Sequence, residues 1–87
     1  MFVDVIEAEY IDDYKIRITL SNGQGGIVDF EQELWGPVFE PLKNKVLFRN
    51  YRISKTLGTI EWENGADIAP EYLEDKLPKN NAQTYFA

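Results

Sequence analysis

Carboxylates supply most of the reactive potential of this chain. Fifteen aspartates and glutamates occur in 87 residues, several in small groups: Glu7 with Glu9, Asp12 with Asp13, Asp29 with Glu31 and Glu33, and Glu61 with Glu63. Two converging carboxylates can hydrolyse a glycosidic bond, and several together can hold a hard cation. Either task needs them to arrive from separate elements. Here Glu7 and Glu9 fall on the expected solvent face of one strand, and Glu61 and Glu63 alternate with buried neighbours, so solvated surface is the plainer reading. Asp4 and Asp67 are flanked by apolar positions and are better candidates. A carboxylate that accepts backbone N–H bonds and holds a turn accounts for each. Asp67 lies three positions before Pro70, within reach of the free amides at a helix start.

The chain has neither histidine nor cysteine, which removes the commonest general base, the commonest metal ligand and any thiolate site. No catalytic, metal-binding or cofactor-binding set is read from it, and the expectation is a protein that is not an enzyme. Glycine-rich Gly23-Gln24-Gly25-Gly26 joins two strands instead of opening a helix, so it is a hairpin loop and not a phosphate cradle. The net charge of −6 works against unaided binding to nucleic acid or anionic lipid. One stretch departs from that balance. Lys43, Lys45, Arg49, Arg52 and Lys55 place five of nine positive charges in thirteen residues without an acid, interleaved with Phe48 and Tyr51. That segment could serve a nucleic acid or an acidic partner, or be an ordinary solvated face.

The elements that position these residues follow from periodicity. Residues 2–10 alternate as a strand with Phe2, Ile6, Ala8 and Tyr10 on one parity, and Val3 and Val5 break the polarity at its start. Asp12-Asp13 turn the chain. Tyr14, Ile16, Ile18 and Leu20 then alternate with Lys15, Arg17 and Thr19, which places Glu7 and Glu9 opposite Arg17 and Lys15. A third strand runs from Gly25 to Phe30, weakened by its glycines. From Glu31 the period changes. One helical turn over Glu31–Trp35 stops at Gly36-Pro37, and Phe39, Leu42, Val46 and Phe48 lie near helical spacing. Residues 51–56 and 58–62 form a second hairpin with Ile53, Ile60 and Trp62 inward. Asn64-Gly65 suits a tight turn, and Pro70-Glu71 opens a helix carrying Tyr72, Leu73 and Leu77 on one face. Trp62, Asn64, Gly65, Asp67 and Pro70 are thus structural positions. The result is an α+β domain over residues 1–78, an antiparallel three-strand meander plus a second hairpin with short helices on one side, followed by a tail over 79–87. Surface scaling implies that about 64% of the extended chain's area is buried on folding, a thin core.

Phe39-Glu40-Pro41-Leu42, Phe48 and the block Ile60–Leu73, with its Trp-x-Asn-Gly-x-Asp-Ile-x-Pro-Glu order, resemble a family of short bacterial proteins known as domain of unknown function 2442. The resemblance covers roughly residues 3–75. Glu63 stands where proline is common in the family. The resemblance implies an α+β domain and pairing with another small protein in gene arrangements like toxin–antitoxin modules. Some relatives carry an added helix-turn-helix domain. No catalytic residue comes with it.

The functional expectation is a cytoplasmic interaction protein that binds a partner protein, with Lys43, Lys45, Arg49, Tyr51, Arg52, Tyr85 and Phe86 as candidate contacts. The alternative is an accessory regulatory or nucleic-acid-associated module using the basic 43–55 segment. Met1-Phe2-Val3-Asp4 lacks the charged start and apolar core of a signal peptide, and no apolar run reaches membrane-spanning length. Open strand edges and the apolar pair Tyr85-Phe86 also raise a homodimer as an expectation.

Overall fold

The computed structural model describes residues 3–78. Phe2, Tyr85 and Phe86 therefore lie outside the described residues. Three strands, β1 (Val5–Asp12), β2 (Lys15–Leu20) and β3 (Gly25–Asp29), form an antiparallel meander in the order β1-β2-β3. A second, two-stranded sheet pairs β4 (Tyr51–Ser54) with β5 (Thr59–Trp62). Between them lie 3-10 turns at Glu31–Glu33 and Glu40–Lys43 and the one-turn helix α1 (Lys45–Phe48). Helix α2 (Pro70–Lys76) closes the described chain, with Pro70 at its first turn as its fixed φ predicts. This is the α+β architecture expected.

The cleanest periodicity gave the firmest element. Ile16, Ile18 and Leu20 on β2 are fully buried, and Val28 and Phe30 join them from the third strand's side. β1 is different. Its pairing steps from Val5↔Leu20 to Glu7↔Thr19, so one extra residue is inserted on β1. Such a bulge flips the faces of everything beyond it. Val5 is buried, while Ile6, expected inside, is 55% exposed. The charge register also differs from the one expected, on the stretch between this bulge and a second register shift at Tyr10–Asp12. Glu9 pairs with Arg17, whose Nη1 lies 3.0 Å from Glu9 Oε1, and Glu7 stands opposite Thr19. Lys15 meets Asp12 at 3.6 Å instead.

Two more inward expectations are corrected. Val46 is exposed because α1 is a single turn capped by Asn44, whose side chain accepts from the amides of Val46 and Leu47. That cap aims Phe48 inward and leaves Val46 on the outer side. Ile53 is the cross-strand partner of Ile60 and shares its face, yet it sits at the exposure boundary while Ile60 and Trp62 are buried.

The two sheets meet around Phe48, which is fully buried. Tyr10 and Tyr14 contact its ring edge-on, and Phe30 and Trp62 at a tilt, with centroids 5.4–6.2 Å away. Aromatic pairs at these separations add to the burial term. Two hydrogen bonds close the joint: Val5 N–H donates to the Gly58 carbonyl at 2.9 Å, and the Tyr51 hydroxyl donates to the Ala8 carbonyl at 3.0 Å. Gly58 has φ +71°, and a Cβ there would collide with the Asp4 carboxylate. Asp4 thus packs against the second hairpin's turn, and its own N–H donates to Ser21 Oγ at 2.9 Å.

The loop Asn22–Gln24 anchors α2. Gln24 is only 3% exposed, and its Nε2 donates to the carbonyls of Glu74, Leu77 and Pro78 at 3.1–3.3 Å. Those are carbonyls that a helix end leaves without intrahelical donors. A side chain from the β2–β3 hairpin supplies them.

Candidate functional site

The basic segment does not form a free positive patch. Lys45 Nζ lies 3.0 Å from Asp13 Oδ1 and above the Tyr14 ring. That bond and the attraction of Lys45 hold the Asp13 carboxyl below its usual value, and Asp13 in turn raises Lys45. Arg52 Nε meets Glu61 Oε2 at 2.8 Å across the second hairpin. Lys43 reaches Glu40 at 4.0 Å, and the Arg49 guanidinium stacks 5.7 Å from the Tyr10 ring centroid. Tyr51 is half-buried, with its hydroxyl committed to Ala8. Lys55 is exposed beside the Gly58 turn. The acids that neutralise this stretch come from elsewhere in sequence, which is why the segment alone looked positive.

Unpaired groups gather elsewhere. Of eight large apolar residues exposed among the described ones, four lie in the 35–47 stretch: Trp35 at 72%, Val38, Val46 and Leu47. Exposed apolar area on this scale marks contact surfaces more often than chance. Two grooves flank the Phe39–Pro41 segment. One, of about 340 Å³, is lined by Trp35, Phe39, Ile68, Ala69 and Tyr72, with the carboxylates of Glu33 and Asp67 in its wall. The other, of about 370 Å³, lies against Pro41, Leu42, Leu47, Trp62 and Asn64. Asn64 pins the segment between them, its Nδ2 donating to the Val38 carbonyl at 2.8 Å. Asn64 Oδ1 also accepts from Ala66 N–H, and Gly65 turns at φ +93°, so both keep the structural roles read from the sequence.

Asp67 does not. It is exposed, and α2 starts with no side-chain cap. Its backbone bridges to Glu61 on β5, a short third pairing that points its side chain into the first groove's wall. The other carboxylate, Glu33, is half-buried and 4.0 Å from Lys76, whose ammonium lies 5.3 Å above the Tyr72 ring centroid. The Tyr72 hydroxyl is sealed behind the wall without a hydrogen-bond partner among the described residues. Burial, reinforced by the Glu33 carboxylate, pushes it well above the ordinary tyrosine value.

That geometry carries a prediction. Tyr72→Phe should leave stability unchanged or raise it by about 1 kcal/mol at neutral pH, because it removes an unsatisfied buried hydroxyl. Above about pH 10 the unfolded chain loses the tyrosine proton while the folded chain keeps it, so stability falls as pH rises. Urea unfolding from pH 8 to 11 should show a shallower fall for Tyr72→Phe. Tyr51 is shifted in the same direction by burial, so the fall is not abolished. A clear loss of stability at pH 7 would mean that the hydroxyl has a partner.

Trp35 is not singled out by the sequence because it reads as the end of a helical turn. The available signal was a large aromatic placed directly before Gly36-Pro37, where no periodicity demands it. Among the described residues no group of three or more acids comes together in a way that could hold a metal ion, and no helix is long and apolar enough to cross a membrane. Comparison with curated proteins and with solved structures finds no match. A family model matches residues 5–79, which includes every residue lining both grooves. The chain therefore belongs to the family described as protein of unknown function (DUF2442).

Proposed function

We propose that this chain is a non-enzymatic interaction domain that binds a partner protein, as one member of a pair of the toxin–antitoxin kind. The observation that carries the reading is the 72%-exposed Trp35 beside an apolar groove. Large aromatics at groove rims dominate protein interfaces, since they bring much contact area for little rotamer entropy. The gene arrangements that the family resemblance implies supply the pairing. The nucleic-acid alternative loses ground, because Lys45 and Arg52 are held in close ion pairs and Arg49 in a ring stack. The test is co-expression with the product of the neighbouring gene, followed by purification through a tag on one chain. A stoichiometric complex that survives gel filtration is expected. Separate elution of the two proteins would defeat the reading.

A further inference from the structure

We infer that the Trp35 groove receives a basic segment of the partner, in which an apolar anchor is flanked by lysine or arginine. The inference rests on the partner-binding reading above and names the chemistry of the partner at that site. Six cations of this chain are matched to six acids: Lys15 to Asp12, Arg17 to Glu9, Lys43 to Glu40, Lys45 to Asp13, Arg52 to Glu61 and Lys76 to Glu33. Among the described residues, nine of the fifteen acids stay outside those pairs. Seven of the nine fall in two short stretches: Asp29 and Glu31, then Glu63, Asp67, Glu71, Glu74 and Asp75. These are the stretches that border Glu33 and build the groove wall from Asp67 to Tyr72. Of these acids, Asp67 lines the Trp35 groove, with the Glu33 carboxylate beside it in the same wall, while Glu63 and Glu71 line neighbouring grooves.

Both components of the site point to the same occupant. The groove floor of Phe39, Ile68, Ala69 and the Trp35 ring offers apolar surface, which an aliphatic or aromatic anchor would cover. The carboxylate of Asp67 has no ion pair or hydrogen bond among the described residues, and it stands at the wall where the flanking cation would lie. Glu33 is already answered, weakly, by Lys76 at 4.0 Å. Lys76 in this position does for the isolated chain what a partner cation would do in the complex. An acidic or uncharged apolar segment would gain the floor but not the wall.

The test uses the full chain and two synthetic peptides, one with a leucine anchor between arginines and one with glutamates replacing the arginines. Trp35 is exposed and Trp62 is 2% exposed, so a blue shift of tryptophan emission reports cover at Trp35. The arginine peptide should bind saturably, at least about tenfold tighter than the glutamate peptide, and weaken with salt. Trp35→Ala should reduce binding about tenfold or more, and Asp67→Asn about threefold to fivefold. Glu7→Gln, an unpaired acid on β1 outside the groove, should change nothing. Both groove substitutions are at exposed positions, so unchanged urea unfolding separates lost binding from lost fold. Equal binding of the two peptides, or no saturation below about 1 mM, overturns the proposal. So does an emission shift in the free chain that depends on protein concentration, or that disappears in Tyr85→Ser/Phe86→Ser, for then a second copy or the chain's own 79–87 segment fills the groove. A neighbouring-gene complex indifferent to Trp35→Ala and Asp67→Asn would leave the pairing standing and remove this site from it.

Discussion

Phe48→Ala should lower stability by about 3–5 kcal/mol, the cost of emptying a large site in a packed core. A chain of 87 residues has about 4–13 kcal/mol in total, so the variant is expected to be partly or wholly unfolded at room temperature. The reason is topological as much as volumetric. Phe48 touches Tyr10 from β1, Tyr14 from the β1–β2 turn, Phe30 from the end of the meander and Trp62 from β5. Among the described residues, no other side chain joins both sheets through so many rings. Backbone relaxation cannot close the void without moving the sheets together, and Val5–Gly58 and Tyr51–Ala8 hydrogen bonds already set their separation. Val46→Ala, on the same helical turn but 65% exposed, should stay within about 0.5 kcal/mol. Urea unfolding followed by circular dichroism measures both. A loss below about 1 kcal/mol for Phe48→Ala would show that the two sheets do not depend on their shared ring.

What was legible in the sequence, and what was not, follows from how local each cause is. Ile16, Ile18 and Leu20 declared their face by alternation alone, and Gly65 declared its turn by the positive φ that only a few residues accept. Pro70 declared a helix start for the same local reason. The bulge on β1 left no such mark. Val5, Ile6 and Glu7 alternate or fail to alternate depending on one inserted residue, and only the partner strand reveals it. Ile6 was placed inside on that account. Gln24 was read as part of a glycine loop, because its three acceptors lie fifty residues further along. Asn44 could have been found, since an asparagine two residues before Val46 is an ordinary helix cap. The candidate site was the least legible part. Trp35, Phe39 and Tyr72 were each assigned to a helix-like turn or a helical face, and their grouping comes from the fold of the 35–47 stretch against the block 67–72. Asp67 was visible as an unusual carboxylate. Its assignment to the helix cap failed: its backbone is engaged with Glu61, and α2 begins at Pro70 with no side-chain cap.

Trp62→Ala should be comparably severe, about 3–5 kcal/mol, because Trp62 is 2% exposed and carries a polar bond as well as its ring. Its Nε1 donates to the Phe48 carbonyl at 2.8 Å, and no other hydrogen bond reaches that carbonyl among the described residues. Trp62→Phe isolates the polar share: an aromatic ring remains, but a buried carbonyl is left unsatisfied, at about 1–3 kcal/mol. The two central rings are also coupled. Phe48 and Trp62 have centroids 5.8 Å apart, and the hydrogen bond runs between the same two residues. Substitutions at neighbours that share a cavity do not add. In a cycle with the milder Phe48→Leu and Trp62→Phe, the double variant should therefore lose less than the sum of the singles, by at least about 0.5 kcal/mol. The physical reason is that the first substitution already loosens the packing that the second would disturb. Urea unfolding of the four chains, monitored by circular dichroism so that the loss of Trp62 emission does not bias the readout, decides it. Strict additivity would mean that Phe48 and Trp62 act on separate sheets, and that the second hairpin docks through Tyr51 and Gly58 without the central ring.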